Sequence, residues 1–335
     1  MAVALRHFPL RSSPGALLPQ FPSYAFASRL QTALQQEFLS WKARPASSRG
    51  PAPPANIIFF TPAPTYTLGR RQTEPLSPSE VARLRSPLFV PTASASEDTD
   101  SAGPEKTAFF LPTITHAPRG GLTTYHGPGQ LVIWPVIDLH SPLHAHLSVR
   151  DYACLLEKTT IAALERQWGL EGFTTANPGV WVRSRGAQGD DGASGGQERK
   201  IAALGVHLRR HITGLGVAIN YSTPVTGPAE TNPWGRIVAC GLGDLGVTSV
   251  CAELGIGSSG RSSSSSTRRD SDENSALESL ADTWRSEFQS RLKMHVTDDV
   301  AGFDVHQSMR DLGAQLEGNT GDSLVQALPL SNLET

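Results

Sequence analysis

Apolar residues recur at helical spacing in SYAFASRLQTALQQEFLSW. Tyr24, Ala27, Leu30, Ala33 and Leu34 fall on one face, which predicts a helix from about Ser23 to Trp41. SVRDYACLLEKTTIAALERQWGL repeats that spacing and stops at Gly169, and ALESLADTWRSEFQSRL repeats it again near the C-terminal end. Between these stretches the pattern shortens to apolar runs bounded by turn residues. Ile57 to Thr61, Tyr66-Thr67-Leu68, AFFLPTIT, QLVIWPVIDL and GVWVRS read as strands. Pro135 inside QLVIWPVIDL predicts an edge strand or a bulge, because proline has no ladder N–H to donate. KIAALGVHLRRHITGLGVAINYS reads as two strands joined at a Thr-Gly turn, and VTSVCAEL opens a short helix near Thr248. One helix followed by many strands with two or three helices among them predicts a single α/β (α+β) domain with a mixed sheet. The regular strand-helix alternation of a doubly wound fold is missing.

Polar segments set the expected boundaries. The main domain is read as residues 1–255, with disordered insertions near 42–55, 90–108 and 184–198. A Ser-rich, low-complexity linker follows at 256–275, then a C-terminal helix and tail at 276–335. A chain of 335 residues with a formal net charge of -2 and no basic stripe gives no sign of a nucleic-acid binder. No apolar run is long enough to cross a bilayer. Cys154, Cys240 and Cys251 make an odd count without paired-thiol spacing, which argues against a disulfide framework and a cysteine-built metal site and favours a reducing compartment. The N-terminus carries Arg6 and Arg11 and no acidic residue before Glu37. That composition fits a mitochondrial transit peptide and an ordinary first strand about equally.

Three stretches could carry chemistry. In RGGLTTYHGPGQL, glycines at 120, 121, 127 and 129 let something approach the main chain. Thr123 and Tyr125 should face one way and His126 the other, and Arg119 stands where it could meet an anion. A glycine-rich hairpin without a ligand explains the composition equally well. The stretch lacks the Gly-Lys-Ser/Thr ending of a phosphate-binding loop and does not match a dinucleotide fingerprint. In KIAALG, Lys200 precedes small and apolar residues, so burial would favour its neutral amine, although a lone lysine is more often an exposed surface residue. In VACGLGDLGVTSV, Cys240 lies uncrowded between Ala239 and Gly241, where turn N–H groups can stabilise a thiolate or an oxyanion. A free cysteine is more often a small core residue, and Cys154 and Cys251 are read that way.

Together, PTYTLGRR, RGGLTTYHGPGQLVIWPVIDL, KIAALGVHLRRHITGLGVAINYS and ACGLGDLGVTSV resemble the lipoyl(octanoyl) transferases over roughly residues 5 to 255. The resemblance implies a fold like the catalytic domain of biotin protein ligases and lipoate ligases. It implies an acyltransferase that moves octanoyl from acyl carrier protein to a lysine of a lipoyl domain. By motif, the catalytic pair falls on Cys240 and Lys200. The acyl-binding segments fall on Arg119, Gly120, Gly121, Leu122, Thr123, Thr124, Tyr125 and His126, on Ala203, Leu204 and Gly205, and on Gly216, Val217 and Ala218. The implied acceptors are lipoyl domains of 2-oxoacid dehydrogenase acyltransferase subunits and the glycine cleavage H protein. The expected location is mitochondrial and the default state a monomer, with no cofactor or metal, no nucleic acid and no membrane.

On this reading the apolar chain binds at about 0.8 kcal/mol per buried methylene. A nearby ammonium lowers the thiol pKa, Cys240 takes the acyl group as a thioester, and neutral Lys200 removes a proton as the amide forms. Tyr125 and His126 shape the acyl slot. An ATP-dependent lipoate or biotin-type ligase on the same scaffold would not need Cys240. A non-catalytic acyl or lipoyl-domain binding module would form no covalent adduct.

Overall fold

The computed structural model describes residues 5–10, 19–91, 107–183, 196–237, 246–256, 266–292, 324–326 and 328. In chain order the elements are β1 Leu5–Leu10, β2 Gln20–Pro22, α1 Tyr24–Ala43, β3 Ala55–Phe60, β4 Thr65–Leu68 and α2 Pro78–Arg85. Next come β5 Leu88–Pro91, β6 Thr107–Phe110, β7 Thr113–His116, β8 Thr123–His126, β9 Gln130–Val136, α3 Val149–Trp168 and β10 Gly179–Arg183. β11 Glu198–Arg209, β12 Ile212–Asn220, β13 Gly246–Val247, α4 Val250–Glu253, α5 Ser266–Arg291 and β14 Leu324–Gln326 complete the series.

The main sheet runs β1-β3-β9-β12-β11-β10, with β13 added beside β11. β1 is parallel to β3 and β13 parallel to β11, while the remaining neighbours are antiparallel. The fold is therefore the expected mixed-sheet α/β domain. Because both sheet faces are covered, its central strands are apolar almost throughout. Ile57, Phe59, Leu131 and Ile133 point to one face, where α3 and α5 pack. Ile58, Phe60, Val132, Trp134 and Val136 point to the other, under α1. A small sheet, β7-β4-β8, stands beside the α1 face.

α1 begins where the apolar spacing predicts, with Ser23 Oγ accepting from Phe26 N at 3.0 Å as the N-cap. α3 carries a Ser148/Asp151 capping box and ends at Gly169 in the left-handed region, φ 64°.

Several expectations are corrected. Residues 42–55 are ordered: α1 continues to Ala43, Pro45 caps a 3-10 turn over Ala46–Ser48, and β3 begins at Ala55. Trp41 Nε1 donates to Gly50 O at 2.9 Å. The Arg49 guanidinium donates to the carbonyls of Arg44 and Lys42 and lies over the Trp41 ring, so the proline-rich segment is pinned. The insertions expected within 90–108 and 184–198 fall mainly on 92–106 and 184–195, outside the described residues. The division after residue 255 cuts one core: Leu280, Trp284 and Phe288 of α5 are fully buried against α3 and the sheet.

Pro135 lies in a central strand, not at an edge. The β9–β12 ladder stops at Ile133, short of the proline that cannot donate. Opposite, Leu215 adopts φ +60°, and its N–H goes instead to Gln31 Oε1 of α1 at 2.5 Å. Gly216 makes room, since a Cβ there would lie 2.9 Å from Pro135 Cδ. The β11–β12 turn is Arg210-His211, both left-handed at φ 51° and 70°, and not Thr213-Gly214, which lies inside β12. Two positive-φ residues give the primed two-residue turn that matches strand twist.

Candidate active site

β8 pairs with β4, and its side chains alternate as the sequence predicts. Tyr125 turns away from the α1 face and packs on Tyr66 and Trp234, with ring centroids 5.3 and 5.8 Å apart. Thr124 and His126 face a cavity of about 400 Å³, its open mouth included. Tyr125 therefore does not shape that cavity. Two of the four glycines of the opening stretch, Gly127 and Gly129, admit protein, whereas Gly120 faces open space. A Cβ on Gly127 would overlap the Tyr125 hydroxyl, and one on Gly129 would meet the Thr223 backbone. Arg119 is 7% exposed and acts as a backbone staple. Its guanidinium donates to Gly120 O, Leu122 O, Thr67 O and Thr67 Oγ1 at 2.7–2.9 Å. It holds the stretch folded, where the sequence suggested an anion contact.

Of the expected acyl-binding residues, the cavity brings together Arg119, Thr124, His126, Ala203, Leu204, Gly205, Gly216, Val217 and Ala218. Gly120, Gly121, Leu122, Thr123 and Tyr125 lie off its wall. The paired methyls of Ala203 and Ala218 leave space above the sheet, and Gly205 lets the Arg119 stem lie flat on β11. Four further residues line the cavity without a sequence signal of function: Tyr24, Val132, Trp134 and Leu215. They read as ordinary core positions. Tyr24 stacks on His126 with centroids 5.6 Å apart and meets Trp134 edge-on at 5.1 Å. Leu215 reaches this wall through its positive φ.

Lys200 depends on a β-bulge. Val180 pairs with Ala202 and Trp181 with Lys200, so Ile201 is an extra residue in β11. Ile201 and Ala202 both pack toward α3 and α5. A regular strand would put Lys200 on the same face as Ala202. The extra residue turns it to the opposite face, the one that carries Ala203, Gly205 and the cavity. There Lys200 is 7% exposed, its Nζ donates to Pro178 O at 3.0 Å and sits 4.7 Å from the Trp181 ring centroid. Gly179, at φ +125°, packs beside its stem, with Lys200 Cε 3.4 Å from where a Cβ would be.

Cys240 lies outside the described residues, as do its neighbours 238–245. The chain is anchored on either side of that segment, away from the cavity upstream and beside Lys200 downstream. Trp234 packs with Tyr66 and Tyr125, and the Arg236 guanidinium donates to Ala229 O, Ser86 O and Pro87 O. Beyond the segment, β13 pairs with β11, with Val247 opposite Lys200, and Thr248 N donates to Lys200 O at 3.0 Å. Cys251 is half-buried, and burial, followed by the charge of Glu273, pushes its thiol up to about 11. That keeps it protonated at neutral pH and unsuited to be a nucleophile. Cys154 is half-buried on α3.

His126 is held neutral. Burial first, then the Arg119 charge, lower its pKa to about 3, against a smaller opposing effect of Gln130. Gln130 Nε2 donates to Tyr125 O and Asn220 Oδ1, which leaves Oε1 to accept from His126 Nδ1 at 3.2 Å. That network assigns the Nδ1–H tautomer and leaves Nε2 as an acceptor. The Thr124 hydroxyl is buried on the same wall without a hydrogen-bond partner. The walls thus supply an apolar slot with a few polar points and a lysine to one side, suited to an acyl chain and proton transfer at its head.

Residues 112–260 match the family model described as the lipoyl protein ligase A/B catalytic domain. The probable octanoyltransferase of Schizosaccharomyces pombe is 33% identical over 228 residues, spanning 68% of this chain and 80% of that protein. The mitochondrial octanoyl-[acyl-carrier-protein]:protein N-octanoyltransferase LIPT2 of Danio rerio is 34% identical over 201 residues, 60% of this chain and 68% of the relative. The protein of the same description in Xenopus tropicalis is 42% identical over 137 residues, 41% of this chain and 47% of the relative.

Proposed function

This chain belongs to the octanoyltransferase family, and from that premise we propose that it transfers octanoyl groups with Cys240 as the acyl carrier and Lys200 as the proton-transfer group. As an octanoyltransferase it takes an octanoyl group from an acyl donor and delivers it to a lipoyl-domain acceptor in protein lipoylation. The observation that carries the site assignment is the bulge at Ile201. It takes a lysine that would otherwise face the α3/α5 core and sets it on the face of the Ala203–Ala218 cavity.

The proposed chemistry has two steps, both drawn from the family's Cys–Lys pair. The Cys240 thiolate attacks the donor thioester carbonyl, and the donor thiolate leaves with a proton from the Lys200 ammonium. The acyl group remains on sulfur. The acceptor lysine, as neutral amine, attacks this second thioester. The Cys240 thiolate leaves, and neutral Lys200 takes the proton released as the amide forms. Thioester-to-amide conversion is downhill, so no nucleotide is consumed. We take the donor to be octanoyl-acyl carrier protein. We take the acceptors to be lipoyl domains of 2-oxoacid dehydrogenase acyltransferase subunits and the glycine cleavage H protein. The location is mitochondrial, in keeping with the mitochondrial relatives.

The test is octanoyl transfer from octanoyl-acyl carrier protein to a purified lipoyl domain without ATP. Cys240→Ser should lower the rate by at least about 10³-fold, the scale on which loss of a covalent nucleophile acts. A Cys240→Ser protein that still modifies the lipoyl domain when given free octanoate and ATP would establish a ligase instead.

A further inference from the structure

We propose that Asn220 is a positioning residue for Lys200, acting through Thr248; the proposal rests on the reading of Lys200 as the proton-transfer group. A buried line of hydrogen bonds runs from the cavity wall to the Lys200 main chain. His126 Nδ1 donates to Gln130 Oε1 at 3.2 Å, and Gln130 Nε2 donates to Asn220 Oδ1 at 2.8 Å. Asn220 Nδ2 donates to Thr248 O at 2.9 Å, and Thr248 N donates to Lys200 O at 3.0 Å. The Thr248 hydroxyl donates to Glu253 at 2.5 Å, and Arg199, next to Lys200, pairs with the same carboxylate at 2.9 Å. Gln130, Asn220 and Thr248 are 1%, 3% and 0% exposed, so no step of the line is exchanged for bulk water.

The placement of this line is informative. β12 leaves the β11 ladder at the Ala202–Ile219 pair, just where the Ile201 bulge begins. Below the bulge, β11 is held on that side by β13 and Thr248 instead. Asn220 is the next residue of β12, and its side-chain amide spans the break. It presents an acceptor to β9 and a donor to Thr248, two roles that an amide combines in one planar group at any pH. Without that donor the Thr248 carbonyl is buried without its partner, and the strand segment bearing Lys200 loses the tie that fixes its height against the cavity.

The experiment exchanges the amide for a carboxyl. In Asn220→Asp, the protonated acid reproduces both roles, accepting from Gln130 and donating to Thr248 O, whereas the carboxylate has no donor and places a charge against that carbonyl. The ionisable groups around the position are His126 on β8, Arg199 and Lys200 on β11, Cys251 and Glu253 on α4 and Glu273 on α5, so the readout is the variant-to-wild-type ratio at each pH. We expect kcat of Asn220→Asp to be at least roughly tenfold down at neutral pH with KM for the acyl donor little changed. The ratio should climb toward unity as pH falls through the carboxyl's pKa, which burial raises. A ratio independent of pH, or a kcat equal to wild type, overturns the proposal. If circular dichroism shows Asn220→Asp unfolded at neutral pH, Asn220→Ser carries the test. A kcat loss of about tenfold with unchanged KM supports the role, and a kcat within about twofold of wild type overturns it. Full wild-type transfer alongside either overturning result leaves the transferase reading intact, whereas a Cys240→Ser protein that keeps its transfer activity strikes at that reading and not at Asn220.

Discussion

His126 illustrates how a side chain's role changes once its surroundings are known. The alternation in TTYH placed it opposite Tyr125, and the structure agrees. Its neutrality comes from burial first and then from the Arg119 charge, against a smaller opposing effect of Gln130 on its Nδ1, while Tyr24, distant in the chain, stacks over it. Because its folded pKa, about 3, lies below the ordinary 6.5, the unfolded chain binds the extra proton between those values. Folding stability from this residue is complete above pH 6.5 and is lost as pH falls toward 3, by at most about 1.4 kcal/mol per pH unit. Thermal melts across that window should therefore show wild type losing more stability on acidification than His126→Asn. Equal losses would mean that the imidazole is not held neutral by the fold. At this scale the motifs in the sequence singled out nine residues that line the cavity, while Gly120, Gly121, Leu122, Thr123 and Tyr125 of the same motif lie off its wall. The aromatic wall was not legible, because Tyr24 and Trp134 carry only the signature of core positions, and the positive φ of Leu215 leaves no mark on residue type.

β11 shows what element-level reading misses. Its apolar pattern predicts a strand, and a strand it is, but period-two alternation assigns Lys200 to the wrong face. The bulge is a matter of pairing with β10, which one strand's sequence does not encode. It yields a discriminating pair of variants. Ile201→Ala leaves the extra residue in place; it should cost about 2–4 kcal/mol of stability and retain transfer activity. Deletion of Ile201 restores regular alternation, turns Lys200 toward α3 and α5, and should abolish transfer in whatever fraction folds. Assay of both at a temperature where circular dichroism shows them folded checks this, and an active deletion variant would contradict the placement. Pro135 teaches the same lesson in reverse. Proline signalled an edge or a bulge; the strand is central, and the irregularity is taken up opposite it by Leu215 and Gly216 of β12. The ordering of residues 42–55 likewise depends on the contact between Trp41 and Arg49, which composition alone cannot reveal.

Across the whole molecule, the Ser-rich low-complexity stretch suggested that the catalytic unit ends before it. The fold extends past that boundary, because α5 completes the core shared with α3. Trp284 is fully buried, its Nε1 donates to Thr160 Oγ1 at 3.0 Å, and its ring stacks on Phe288 with centroids 5.0 Å apart. Trp284→Ala should destabilise the protein by about 3–5 kcal/mol in denaturant titrations, although the residue is far from Lys200 in the sequence. A loss below about 1 kcal/mol, on the scale of surface substitutions, would mean that α5 is an appendage after all. The same packing ties the sheet to the site: β9, β11 and β12 carry both the core under α3 and α5 and the floor of the cavity. The central claim is that acyl transfer passes through sulfur at Cys240 under the influence of Lys200. Its most direct test is mass spectrometry of the intact protein after incubation with an octanoyl thioester in the absence of acceptor. The account predicts one octanoyl group per chain, mapped by peptide analysis to Cys240, discharged when a lipoyl domain is added, and greatly slowed in Lys200→Ala. A protein that modifies the lipoyl domain without ever carrying the acyl group on Cys240 would contradict it.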